Sequence, residues 1–304
     1  MNKYLEKHGV VAFIDVLGYS SIIDAASKYP CILGELEESL VMAIKLTNIL
    51  GEFIQNVEPS DRFINRQFSD SVIISYEYPE GSDRIDLACW MVFLASATYQ
   101  YFMLRHGFYV RGGIASGFWY INDSNNIIFS KGLTKAYVLE STLAIYPRII
   151  VEPGLIQTIK ESDFAQKTFP ALLVEDWSGK MFINYFGLYD VYGRYEDRLK
   201  NSPDMPNLVD ILRFTMASMP DTLAELGVSK PITVEEIAGM LPEAMKQWDV
   251  TDPTVSAEIN AQLHAKLSEF RDDDKLREKY LWLIEFFNWA TQKGGGLNFK
   301  RGFA

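Results

Sequence analysis

Val10-Val11-Ala12-Phe13-Ile14-Asp15-Val16-Leu17-Gly18-Tyr19-Ser20 is an apolar run with one carboxylate set into it and a glycine after it. Val10 to Val16 reads as a short buried strand. Asp15 stands at its end, where an ionised carboxylate is costly unless something offsets its charge. Further on, Arg62 to Phe68 and Val72 to Tyr76 read as two strands joined by a tight hairpin, Ser69-Asp70-Ser71. If these strands neighbour the first, Asp15 and Asp70 emerge at one edge of a sheet. The pair has no histidine nearby in sequence, so it forms an oxygen-rich site suited to Mg²⁺ or Mn²⁺. The plainer reading makes Asp70 a turn residue, Asp15 a strand-end cap and Gly18 a turn glycine.

Outward from these strands, the first half of the chain alternates between the two periods. Ile22 to Ala26 and Leu33 to Ile54 have helical spacing, with Leu36, Leu40, Ala43, Leu46 and Leu50 on one stripe. Asp83 to Arg105 reads as a long helix. Phe108 to Ser116 and Gly117 to Tyr120 read as two strands around a glycine-rich bend, before a polar loop at Asn122 to Asn126. Gly132 to Thr142 reads as a helix and Arg148 to Glu152 as a strand. Phe169 to Val174 and Met181 to Tyr185 are expected to pair at a sheet edge. After about Gly193 the pattern turns helical, punctuated by Pro203, Pro206 and Pro220, with no strong strand. Val255 to Phe270 and Lys275 to Gln292 read as amphipathic helices, the second carrying Tyr280, Leu283, Ile284, Phe287 and Ala290. Gly294-Gly295-Gly296 marks a flexible end. The expected organisation is α+β, with a sheet-containing domain over 1–193 and a mainly helical extension over 194–304.

Composition narrows the class. The 304 residues are 48% hydrophobic and carry 29 Lys plus Arg against 40 Asp plus Glu, a net charge of -11. That balance argues against wide contact with a nucleic-acid backbone, although a small anion held with metal ions needs only a locally attractive site. The two cysteines, Cys31 and Cys89, form no metal or disulfide pattern and fit a reducing compartment. No signal-like apolar core opens the sequence, and Leu87 to Met103 is interrupted by Ser96, Thr98 and Gln100. A cytoplasmic protein without membrane insertion is expected. His8, His106 and His264 have no partner spacing, Cys89 reads as core, and Tyr99, Tyr101 and Phe102 read as helix packing. Asp272-Asp273-Asp274 reads as a solvated helix break.

Four strings, in order, resemble the class III nucleotidyl cyclases. Phe13-Ile14-Asp15-Val16-Leu17-Gly18-Tyr19-Ser20 is similar to their first metal motif, Phe-x-Asp-Ile-x-Gly-Phe-Thr. Phe68-Ser69-Asp70-Ser71 is similar to Ile-Gly-Asp-Ala, and Arg111-Gly112-Gly113-Ile114-Ala115-Ser116-Gly117 to Arg-x-Gly-Ile-x-x-Gly. Gly132 to Glu140 takes the place of the helix that follows. The resemblance spans roughly residues 8 to 152. It implies a ferredoxin-like βααββαβ core, with active sites formed where two domains pair as a homodimer. It also implies that Asp15, Asp70 and the Val16 carbonyl hold two Mn²⁺ or Mg²⁺ ions, with amides around Gly18, Tyr19 and Ser20 on the phosphates. Two ions bridging a nucleoside triphosphate would activate an attacking oxygen and offset charge on the leaving group.

The departures matter as much. Arg66 stands where purine cyclases usually carry a base-selecting Lys or Glu; a solvent-facing strand residue is the alternative. The family's Asn and transition-state Arg are missing: one alignment places Ala136 and Glu140 there, the other Thr134 and Val138. Charge stabilisation then falls to Arg111, Lys131, Lys135 or Arg148, with Arg111 first because its strand abuts the metal strands in the family fold. Gly132 to Ser141 and Tyr146 to Val151 resemble the pyrimidine nucleotide cyclases of bacterial Pycsar antiphage defence. That subgroup implies UTP or CTP turned into cyclic UMP or cyclic CMP, with the product sensed by a separately encoded effector. Three rivals stand beside this reading: a degenerate cyclase domain that only binds nucleotide, an adenylate or guanylate cyclase, and a scaffold whose helical tail recruits a partner through an uncovered Tyr280 to Trp289 face.

Overall fold

A computed structural model of the chain describes residues 7–57, 61–125, 127–193, 248–270, 273–292 and 299–302. The core runs β1 (Lys7–Val16), α1 (Tyr19–Ala26), α2 (Cys31–Val57), β2 (Arg62–Phe68), β3 (Ser71–Pro79), α3 (Ile85–Arg105) and β4 (Val110–Asn122). The strands lie in the order β2-β3-β1-β4, every neighbouring pair antiparallel. This is the ferredoxin-like βααββαβ arrangement, and the α+β class follows from it.

Strand alternation divides β1 between two faces. Val10, Ala12, Ile14 and Val16 are buried in the main core together with α2 and α3. Val11 joins Ile64, Ile73 and Trp119 in a second cluster on the opposite face, with Phe13 packed against it. Asp15 continues that second face. Helix α3 is buried at every position from Ala88 to Tyr101, Cys89 and the polar Ser96, Thr98 and Gln100 included. By length and composition α3 could cross a membrane, but 89% of its apolar window is buried inside the protein.

Beyond β4 the sheet continues through β5 (Ile127–Ser130), which folds back on β4, then α4 (Lys131–Thr142) and β6 (Ile149–Val151), parallel to β4. Two short helices, α5 (Pro153–Ile159) and α6 (Asp163–Thr168), lead to β7 (Leu173–Asp176), β8 (Met181–Ile183) and α7 (Leu188–Gly193). Helices α8 (Pro253–Glu269) and α9 (Asp274–Thr291) follow, then β9 (Phe299–Arg301), giving a full sheet order of β2-β3-β1-β4-β6-β8-β7-β9.

Several expectations are corrected. The strands expected on either side of a bend at Gly117 are one continuous strand, β4. Its glycines serve close approach instead. A Cβ on Gly113 would sit 2.3 Å from the Ala136 carbonyl oxygen, and one on Gly117 2.8 Å from the Gly132 nitrogen, so both let α4 lie directly on the strand. β5 emerges from the region read as following a polar loop. β7 and β8 do pair, but β9 covers β7, so β7 is not the edge and a strand does follow the helical segments. Phe169 to Ala171 is a 3₁₀ turn. Asp273 caps α9 by accepting from the Leu276 N–H at 3.0 Å, a specific role where a solvated break was expected.

The apolar face of α9 is wider than the stripe read from sequence. Trp282, Phe286 and Trp289 are buried with Leu283, Ile284 and Phe287. Phe286 meets Phe182 at 5.1 Å and Phe299 at 5.4 Å between ring centroids. That face packs on the sheet, so the uncovered surface a scaffold would need is absent from α9. The segments around Pro203, Pro206 and Pro220, the Gly294–Gly296 run, Asp272 and the side chains of Leu46, Leu50 and Ile54 lie outside the described residues.

Candidate active site

The end of β1 and the β2–β3 turn are fastened together by the backbone. Phe68 pairs with Ser71, leaving Ser69 and Asp70 as a two-residue hairpin loop. The Val16 N–H donates to the Asp70 carbonyl at 3.1 Å, and the Leu17 N–H donates to the Tyr109 carbonyl at 2.8 Å. The first bond holds Asp70 beside Asp15, and the second ties the end of β1 to the residue before β4. Across the sheet Asp15 is flanked by Ser71 on β3 and Arg111 on β4. Ser71 Oγ donates to Asp15 Oδ1 at 2.9 Å. Burial pushes the Asp15 carboxyl above its ordinary value, and the Asp70 charge adds to the rise. Ser71 and Arg111 oppose it.

Arg111 Nη2 lies 3.9 Å from Asp15 Oδ2 and 2.7 Å from Glu140 Oε1 on α4. Glu140 is only 4% exposed. Its carboxyl is also pushed up, first by burial and then by Asp15 and Asp70, with Arg111 pulling the other way. Arg111 Nε is buried without a hydrogen-bond partner among the described residues. Of the four basic candidates, Arg111 is the one at the carboxylates. Arg148 is 2% exposed, and its guanidinium is taken up by an ion pair with Asp176 on β7, under the rings of Tyr146, Phe182 and Trp282. Lys135 is paired with Glu152 at 2.7 Å, and Lys131 is exposed at the start of α4.

Gly18 precedes α1 with a left-handed φ of 75°, a conformation other residues adopt at a cost. No side chain caps this end, so the first-turn amides that follow, beginning at Tyr19 and Ser20, have no intrahelical acceptor. Gly18 and Ser20 are exposed. Tyr19 leans on the hairpin, with its Oη 3.4 Å from Ser69 Oγ. Arg66 sits on β2 away from this cluster, ion-paired with Asp123, which Arg62 also meets at 2.8 Å.

No family model matches the chain, and no curated protein matches it. Among solved structures it is similar to the adenylyl cyclase CyaB from P. aeruginosa, with 12% identity and a TM-score of 0.36 over 59% of this chain and 95% of that one. It is also similar to a bacterial light-regulated adenylyl cyclase, with 11% identity and a TM-score of 0.29 over 59% of this chain and 52% of that one. Likeness this distant assigns no activity. The ferredoxin-like core rests on its own strand order, and the site on its own residues.

The donor set fits a hard divalent cation. Two carboxylates sit side by side at the cost of their mutual repulsion, which a cation between them relieves. Among the described residues no three His, Cys, Asp or Glu side chains converge as a metal cage. Mg²⁺-type sites commonly need only one or two carboxylates, because substrate phosphates complete the shell.

Sequence reading missed two members of this neighbourhood. The sequence offers Glu140 only as an occupant of an expected Asn or Arg position; its burial and its pairing with Arg111 come from the fold. Lys279 on α9 had no local signal, since only the fold brings α9 to this end of the sheet.

Proposed function

We propose that the chain is a class III-type nucleotidyl cyclase acting on a pyrimidine nucleoside triphosphate, with UTP ahead of CTP. The observation that carries this is the Asp15–Asp70 pair, held at the start of a helix whose first amides are open to an anion. Two divalent ions, Mn²⁺ or Mg²⁺, would be held by Asp15, Asp70 and the Val16 carbonyl; when bound they supply Lewis-acid activation of a hydroxyl and offset charge on pyrophosphate.

The chain's own residues do the rest. The amides at Gly18, Tyr19 and Ser20 bind phosphate oxygens. Arg111, whose Nε has no hydrogen-bond partner among the described residues, faces the charge that develops during in-line displacement at the α-phosphorus. No protein nucleophile is required.

Arg66 supports the pyrimidine reading through its donor-only guanidinium, which satisfies carbonyls but not an amino group. Its pairing with Asp123 means that base contact requires Arg66 to share or leave that partner. A homodimer is supported by apolar side chains left exposed beside the site, Phe68, Tyr137 and Val138. The strings shared with Pycsar cyclases support a cytoplasmic role in antiphage signalling through a separate effector.

The test is purified protein with Mn²⁺ and each of ATP, GTP, CTP and UTP, products identified by mass. Cyclic UMP as the main product is expected. Preferred turnover of ATP or GTP refutes the pyrimidine assignment. No turnover, with nucleotide still bound, leaves the degenerate binding domain.

A further inference from the structure

A cavity of about 490 Å³ opens between the start of α1 and the C-terminal helices. Leu17, Gly18 and Ser21 form its wall on one side, and Phe270, Lys279 and Tyr280 on the other. It therefore begins two residues after Asp15. Two carboxylates also line it, Glu35 and Glu269, and Glu269 is already paired with Lys266 at 2.9 Å. Lys279 is half-buried, and among the described residues it makes no ion pair within 4.0 Å. It lies close enough to Arg111 for the two positive charges to repel. Burial, and then Arg111, push its ammonium below the ordinary value, with Asp273 opposing. Because Lys266 is held by Glu269 and Arg111 by Glu140, Lys279 is the cavity-lining lysine left without an ion pair among the described residues, and it stands across from the uncapped start of α1. A cation so placed beside open helix amides suits a phosphate oxygen.

We infer that Lys279 is a phosphate-binding residue, carried into the site by α9, which makes the C-terminal helices part of the substrate site. The ligand class is a polyphosphate, in the first place the triphosphate tail of a nucleotide. The inference rests on the nucleoside triphosphate reading above and adds to it the cation that the α4 helix lacks.

Calorimetric titration of inorganic tripolyphosphate with Mg²⁺ into the full chain tests it. Removing one charge-assisted contact in Lys279→Ala is expected to weaken binding about tenfold or more. Lys279→Arg is expected to restore most of it, and Arg277→Ala, exposed on the same helix and not among the charges acting on Lys279, to leave it unchanged. The same loss is expected as a raised KM for the nucleotide. A structural role alone would lower the thermal midpoint and leave the affinity of the folded protein intact.

Unchanged affinity in Lys279→Ala, or no tripolyphosphate binding by the wild type, overturns the inference. If the wild type binds tripolyphosphate through Lys279 yet cyclises none of the four nucleotides, the cyclase reading fails while this assignment stands. If it cyclises a nucleotide with a KM indifferent to Lys279, the reverse holds.

Discussion

Arg111 stands between two carboxylates, 2.7 Å from Glu140 Oε1 and 3.9 Å from Asp15 Oδ2. Glu140 is the more buried of the two, so Arg111 does more to compensate it than to serve Asp15. Arg111→Met leaves the Glu140 charge buried without a counter-ion and is expected to cost about 3 kcal/mol in urea unfolding at neutral pH. Glu140→Gln removes that charge and keeps the shape. Arg111→Met in the Glu140→Gln background is therefore expected to cost much less. Equal costs in the two backgrounds would show that the pair is not coupled.

Asp15 and Asp70 set function against stability. Ionised Asp15 is disfavoured by burial and by Asp70. Asp15→Asn keeps an oxygen to accept from Ser71 and removes the repulsion, so its metal-free thermal midpoint is expected to rise. Turnover is expected to vanish in both Asp15→Asn and Asp70→Asn, because each removes a hard anionic ligand. Full activity in Asp70→Asn with unchanged metal dependence would falsify catalysis through this pair.

Ser69 opens the hairpin loop with a φ of 54°, in the left-handed region. A non-glycine residue there costs roughly 1–2 kcal/mol, against which glycine's greater unfolded entropy, about 0.5–1 kcal/mol, must be set. Ser69→Gly is expected to stabilise the protein by up to about 1 kcal/mol, seen as a higher denaturation midpoint at an unchanged m-value. A loss of stability would mean that the Ser69 contact with Tyr19 outweighs the backbone term.

What could be read in the sequence was what is local. Val10 to Val16 and the Asp70 hairpin announce themselves by period two and a tight turn, and their pairing follows once both strands are buried. Gly113 and Gly117 misled because a glycine in a strand signals a bend and a close approach equally well; only α4 lying on β4 decides between them. β9 is three residues long, with one buried side chain, and offered no pattern to read. Arg148 looked like a free cation because its partner, Asp176, comes from another strand. Lys279 depends on the packing of α9, a contact between opposite ends of the chain.

Arg148 and Asp176 give the acid-side prediction. Their side chains are 2% and 1% exposed. Asp176 Oδ1 also accepts from the Ser178 N–H at 2.8 Å, Ser178 Oγ at 2.7 Å and the Lys180 N–H at 3.1 Å. Burial opposes ionisation of Asp176, but these bonds and Arg148 outweigh it and hold the carboxyl below its ordinary value of 3.8. As pH falls, the unfolded chain therefore takes up this proton before the folded chain does. The pair's contribution is complete above the unfolded pKa and is lost as pH drops through 3.8 toward the lower folded value. Asp176→Asn strands the Arg148 charge in the core and is expected to cost about 3–5 kcal/mol at pH 7. Urea unfolding of wild type and variant at pH 7, 5, 4 and 3 is the measurement (the points from 5 down to 3 roughly bracket the usual carboxylate range). The difference between them is expected to hold from pH 7 to 5 and to shrink below 4. A difference that stays constant down to pH 3 would mean that Asp176 is not ionised in the folded core.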